Sequence, residues 1–255
     1  MTLPTRIRLP QTEATIALLI DADNAPASKI AAILTELAKY GVATVRRAYG
    51  NWTSPNLQGW QACLHDYAIR PIQQFDYTKG KNAADMALMI DAMDLLYTQQ
   101  LDAFALVSSD CDFTPLVMRL LTNGLKVYGF GEQKTPRPFV SACSRFLFLE
   151  TIDQEPTTER PNVAVGVKKT GPQLKHDTTL MNLLRGAVAS TQDDDGWSPL
   201  TKVGSHITNQ SSFDARNYGY AKLSMLFEAI DLFEIERRNL SVYVRSKLKG
   251  SKPKT

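Results

Sequence analysis

The stretch Phe104-Ala105-Leu106-Val107-Ser108-Ser109-Asp110-Cys111-Asp112-Phe113-Thr114-Pro115 decides how the chain is read. It opens as an apolar run of strand length and ends at two carboxylates with one residue between them. A helix follows, with Asp112 or Thr114 as N-cap and Pro115 in its first turn. Leu116, Val117, Leu120 and Leu121 keep helical spacing up to a stop at Asn123-Gly124, and Leu125 to Phe130 reads as another strand. Strand, helix, strand is a βαβ unit, and open parallel sheets place their sites at the carboxyl ends of strands. Asp110 and Asp112 fall at that edge, where two carboxylates repel each other and a cation keeps both ionised. An aspartate after a strand is also a common turn former or cap, so the pair needs support from elsewhere.

Working back toward the N-terminus, that support appears twice. Thr15 to Ile20 is a continuous apolar run, as in a strand buried on both faces, and it ends in Asp21-Ala22-Asp23-Asn24. Ser28 to Tyr40 reads as a helix closed by Gly41, Val42 to Tyr49 as a strand carrying Arg46 and Arg47, Leu57 to Tyr67 as a helix and Ile69 to Phe75 as a strand. After the polar loop 76–82, Ala83 to Gln99 reads as a long helix with an apolar face of Met86, Ile90, Met93 and Tyr97, and with Asp85 in its first turn. Phe146 to Leu149 is a final short strand. A doubly wound α/β sheet that pairs the first and fourth strands brings Asp21 and Asp110 together, and carboxylates gathered there suit the hard cations Mg²⁺ or Mn²⁺.

Composition narrows the class. Of 255 residues, 44% are hydrophobic and 22% charged, as in ordinary globular proteins. Cys63, Cys111 and Cys143 form neither a disulfide framework nor a zinc pattern, and the isolated His65, His176 and His206 add no ligand cluster. Together with the lack of a signal-peptide core or a long apolar run, this leads us to expect a cytoplasmic protein with no membrane span. Up to Glu150 the chain has 14 basic and 14 acidic residues, and beyond it 15 against 12, with a basic tail over 246–255.

Residues 151–173 have a linker composition of prolines, glycines and the pair Lys168-Lys169. Beyond them, helical spacing in Leu180, Leu183, Leu184 and Val188, a short helix over Leu200 to Ile207, another over Lys222 to Phe233 and a hairpin across Arg237-Arg238-Asn239 suggest a winged-helix-like module.

At this point the chain resembles two families. Leu19 to Asn24, Lys81 to Leu88 with Asp91, and Ser108 to Phe113 with Pro115-Leu116 together resemble a NYN domain, a branch of the PIN-like nucleases related to LabA-type bacterial proteins, over residues 1–150. Asp195-Gly196-Trp197, Val203-Gly204-Ser205, Ser212-Phe213-Asp214 and Tyr218-Gly219-Tyr220 resemble an OST-HTH (LOTUS) domain over 174–245. The first resemblance implies a PIN-like fold that cleaves RNA with metal held by Asp21, Asp85, Asp110 and Asp112, and with Asn24 ordering the site. Ala22 and Asp23 stand where an Asp-Gly-Asp or Asp-Gly-Asn pattern is common. The second implies an RNA- or partner-binding module.

A metal-dependent ribonuclease would use Arg46, Arg47, Lys79 and Lys81 on the phosphate backbone and Trp52 against an unpaired base. The arginines read equally as a solvated strand end, and Trp52 as a ring tucked under its own loop. Two further functions stay open. Asp21-Ala22-Asp23 and Asp110-Cys111-Asp112 also mimic the carboxylates of a HAD-like phosphatase, and a non-catalytic RNA or protein adaptor would keep the same fold.

Overall fold

A computed structural model describes residues 13–75, 82–152, 168–239 and 241–247. It divides the chain into two units, Met1–Cys143 and Ser144–Thr255. No helix among the described residues is long and apolar enough to cross a membrane.

The first unit alternates strands and helices: β1 (Thr15–Asp21), α1 (Ile30–Leu37), β2 (Val42–Gly50), α2 (Gln58–Gln61), β3 (Arg70–Gln73), α3 (Ala83–Thr98), β4 (Ala103–Val107), α4 (Thr114–Thr122), β5 (Lys126–Gly131) and α5 (Arg137–Ala142). Parallel pairing of β1 with both β2 and β4, of β2 with β3 and of β4 with β5 gives the order β3-β2-β1-β4-β5. The chain leaves β1 to one side and returns at β4 to run to the other, so the topological switch lies between these two strands. Every residue of β4, and of β1 from Ile16 onward, is buried, which is why both read as unbroken apolar runs. Helix α3 packs on β1 and β2, and α4 on β5 and α5.

Three expectations are corrected. The segment 57–67 is a 3-10 turn, Pro55–Leu57, and one helical turn, α2. Its apolar positions Leu57 and Trp60 are buried there, and the chain then reverses through Ala68 in the left-handed region at φ 49°. The N-cap before α4 is neither Asp112 nor Thr114: Asp110 Oδ1 accepts from the Asp112 N–H at 2.8 Å and opens the 3-10 turn Cys111–Phe113, from which α4 runs on. On α3 the assigned core face points outward. Met86, Ile90 and Tyr97 are 55%, 60% and 64% exposed, while Ala84, Asp85, Leu88, Ala92 and Leu95 face the sheet.

The second unit contains β6 (Arg145–Phe148), α6 (Gly171–His176), α7 (Thr178–Ser190), β7 (Ser198–Pro199), α8 (Leu200–Gln210), α9 (Leu223–Ile230), β8 (Phe233–Arg238) and β9 (Ser241–Ser246). Strand β6 is stitched to the turn 215–218: Asn217 Nδ2 donates to the Phe146 carbonyl at 2.8 Å, and the Phe148 N–H donates to Asn217 Oδ1 at 3.2 Å. Arg145 and Arg216 both donate to Asp214, which is 4% exposed. Burial opposes the charge on Asp214, but the two guanidinium groups hold its carboxyl below the usual range. These bonds explain why the division falls at Cys143, ahead of the expected boundary at 150.

Leu180, Leu184, Val188, Val203, Ile207, Phe227 and Val244 centre the second core, and β7, β9 and β8 form an antiparallel wing. Helix α6 begins at Gly171, inside the segment read as linker, with a capping box between Thr170 and Gln173.

Candidate active site

Strand β1 delivers Asp21 to the carboxyl edge of the sheet, one residue beyond the Ile20–Val107 pair, and β4 delivers Ser108 at the same level. Asp21 is 1% exposed. Ser108 Oγ donates to Asp21 Oδ2 at 2.7 Å, and Asn24 Nδ2 donates to both carboxyl oxygens at 3.0 and 3.3 Å. Burial pushes the Asp21 pKa up, these two donors oppose the rise, and the neighbouring Asp23 adds to it.

Ser108 also accepts from the Asp110 N–H at 3.1 Å, so one hydroxyl joins the two acidic strand ends. Ser109 Oγ accepts from the Glu132 N–H at 2.8 Å, which ties the same turn to the end of β5. Asp110 is half-buried, while Cys111 and Asp112 are exposed. One ligand atom from each of Asp110, Cys111 and Asp112 lies within 4.8 Å of the others. Across the edge, Gly50 ends β2, where a Cβ would stand 3.3 Å from Asp23 Oδ1 and 2.8 Å from Leu57 Cδ1. The missing side chain gives Asp23 its room.

Asp85 enters from the first turn of α3 and is 7% exposed. No side-chain hydrogen bond reaches it among the described residues. Its pKa is pushed up to about 7, first by burial and then by the charges of Asp21, Asp110, Asp23 and Asp112. A carboxyl with four other carboxylates in its field and no donor among the described residues is a group in want of a cation. The residues present therefore suit a hard divalent ion held by oxygen ligands.

The other assigned residues are distributed differently. Arg46 and Arg47 stand opposite Leu18 and Leu19, back from the edge. Arg46 donates to the carbonyls of Ala43 and Tyr67 at 3.1 and 2.9 Å. Arg47 pairs with Asp91, which also accepts from the Tyr49 hydroxyl, so β2 is clamped to α3. Trp52 follows β2 at the edge itself, half-buried, with its Nε1 donating to the Ile72 carbonyl at 2.9 Å. Lys79 and Lys81 lie outside the described residues. Ser108 was not singled out from sequence. Its signal is a hydroxyl two residues ahead of an acid at a strand end.

A NYN domain model matches residues 15–150, which covers more than half of the chain. The chain belongs to the NYN domain family. An OST-HTH/LOTUS domain model matches residues 174–245, so this NYN protein carries an OST-HTH/LOTUS module after its NYN domain. Among solved structures it is similar to a protein of unknown function from Vibrio parahaemolyticus RIMD 2210633, at 18% identity, covering 55% of this chain and 96% of that one with a TM-score of 0.46. An uncharacterized protein from Nitrosomonas europaea matches at 28% identity over 40% of this chain and 99% of its own, with a TM-score of 0.29. MurG of Acinetobacter baumannii matches at 14% identity over 64% and 49%, with a TM-score of 0.36. No curated protein matches the chain.

Proposed function

We propose that this NYN protein is a cytoplasmic metal-dependent ribonuclease, with Asp21, Asp85, Asp110 and Asp112 holding Mg²⁺ or Mn²⁺. The observation that carries this is Asp85, nine-tenths buried beside the other acids and lacking a donor among the described residues. Bound there, a divalent cation supplies charge neutralisation on phosphate oxygens and an acidified water. Ser108 and Asn24 hold the Asp21 carboxylate in one orientation, and the Ser108 hydroxyl fixes the Asp110 backbone beside it. The Arg47-Asp91-Tyr49 clamp sets α3, and hence Asp85, against the sheet.

We assign phosphate capture to Lys79 and Lys81, which precede α3 in sequence, together with Arg46 and Arg47. The half-buried ring of Trp52 offers a face for an unpaired base. The second unit supplies further RNA capture or holds a protein partner.

The test is incubation of the full chain with structured and unstructured RNA in Mn²⁺, in Mg²⁺ and in chelator, beside a small phosphate ester. Metal-dependent RNA cleavage without ester turnover is the expected result. Ester turnover alone would make it a phosphatase, and tight RNA binding without cleavage would make it an adaptor.

A further inference from the structure

Among the described residues eight large hydrophobic side chains are exposed, and five of them belong to α3 and α4: Met86, Ile90 and Tyr97 on the first, Met118 and Leu121 on the second. Both helices lie on one face of the sheet, because the crossovers from β3 to β4 and from β4 to β5 step across it in the same direction. Arg119 of α4 joins them, donating to the Tyr97 hydroxyl with its guanidinium carbon 6.0 Å from the centre of that ring.

Met93, half-buried, completes a stripe of Met86, Ile90, Met93 and Tyr97. Steps of four, three and four residues are the spacing of an apolar seam between helices. This seam is turned away from the sheet, whose side of α3 is filled by Ala84, Leu88, Ala92 and Leu95. The stripe carries no charge: Asp91 is drawn off to Arg47, and the exposed Asp94 flanks it as a rim. Five side chains of this size, 37–64% exposed, show on the order of 500 Å² of apolar surface, the upper end for one patch on a monomer. Two such faces pressed together come to about the 1,000 Å² that a biological interface must clear, before any rim is added.

The order of the steps names the occupant. Four, three, four reads the same from either end, so two copies of α3 laid antiparallel match each other. Met86 of one meets Tyr97 of the other, Ile90 meets Met93, and each pair occurs twice, as in any interface built on a two-fold axis.

We propose that the outer face of α3, with Met118 and Leu121 of α4 beside it, is the interface through which two copies of this chain pair antiparallel about a two-fold axis between Ile90 and Met93. This goes beyond the ribonuclease reading and does not rest on it. Since α3 turns Asp85 inward on its other side, the pairing braces from outside the helix that carries a buried acid.

Sedimentation equilibrium of the full chain over about 1–100 µM should show monomer and dimer in exchange, with a dissociation constant on the order of micromolar. Ile90→Lys, Met93→Glu and Tyr97→Lys should each raise that constant about 10–100-fold, by leaving a charge unpaired in an apolar seam. Ile90→Lys combined with Met93→Glu should recover most of the loss, because the antiparallel register sets each new lysine against a new glutamate. Met225→Lys, at an exposed side chain outside this face, should change nothing. Circular dichroism melting of dilute samples checks that each variant keeps its fold. A monomer across the whole range overturns the proposal and leaves the face to a different protein. Dimers indifferent to Ile90→Lys and Tyr97→Lys place the interface elsewhere, and a double variant as weak as the single ones excludes the antiparallel register; either result overturns it as well.

Discussion

Ser108 Oγ stands 2.7 Å from Asp21 Oδ2, a bond across 87 residues of sequence that joins the ends of two adjacent strands. Ser108→Ala removes a donor from a buried carboxyl and the acceptor of the Asp110 N–H in one step. We expect a loss of about 1–3 kcal/mol in urea unfolding and a fall in cleavage of about 10–100-fold. Unchanged stability and rate would show that the hydroxyl positions nothing.

Asp110→Asn keeps the shape of the turn, because the amide oxygen still accepts from the Asp112 N–H, and removes one negative charge from the site. Cleavage should drop by several orders of magnitude with folding and RNA affinity close to wild type, as for other essential catalytic groups. Near-wild-type cleavage in saturating Mn²⁺ would take Asp110 out of the site.

Asp91 accepts from Arg47 and from the Tyr49 hydroxyl, and burial together with Asp91 raises the Tyr49 pKa. Asp91→Asn should cost about 1.5–3 kcal/mol by loosening α3 from β2. Since α3 carries Asp85, turnover should fall while RNA affinity stays. An equal loss in both would mean that Asp91 acts on RNA instead.

The pH dependence follows from Asp85, whose carboxyl titrates near 7 when folded and from the ordinary value of 3.8 when unfolded. Between those values the folded state keeps a proton that the unfolded chain has released. The stabilising contribution is therefore full below about pH 4 and is lost as the pH rises through 7. Metal-free protein should melt lower at about pH 8 than at about pH 5, and Mg²⁺, Mn²⁺ or Asp85→Asn should flatten the slope. A metal-free melting temperature that rises over this range would contradict the assignment.

Much of the second unit's positive charge is committed internally. Arg237 pairs with Glu228, Arg238 with Asp195 and Glu236, and Arg245 with Glu234. The exposed Arg185 and Lys222 have no such bond among the described residues. Lys168 and Lys169 lie over the rings of Tyr220 and Tyr218, so an isolated fragment should begin at Lys168. That fragment, 168–247, should bind RNA with affinity falling as salt rises, at a slope of about −0.7 per phosphate contact for single strands. Arg185→Glu with Lys222→Glu should flatten the slope. If the fragment ignores RNA and truncation leaves RNA capture unchanged, a protein partner takes its place.

The sheet and its acidic edge were legible because two strands buried on both faces leave unbroken apolar runs that end in aspartates. The orientation of α3 was not. Its inner face is built from alanines, leucines and Asp85, since a helix lying close on the sheet takes small side chains and this one must also turn an acid inward. The larger Met86, Ile90 and Tyr97 therefore fall outside, and periodicity alone chose the wrong side. Ser108 escaped notice for a related reason: a hydroxyl gives no signal until the strand beside it is known.

The register of β1 against β4 reaches further than the fold. Asp21 and Ser108 each stand one residue past the Ile20–Val107 pair, so the span of the pocket is inherited from the pitch of a parallel sheet, about 4.8 Å between neighbours. The gauge of the site is thus written in backbone hydrogen bonds and not in its loops. Lengthening the loop after β2 leaves that gauge untouched, whereas one residue inserted within Thr15–Asp21 turns Asp21 to the opposite side of the sheet. Variation in this protein is free to reshape what the pocket grips, and is barred from changing how wide it stands.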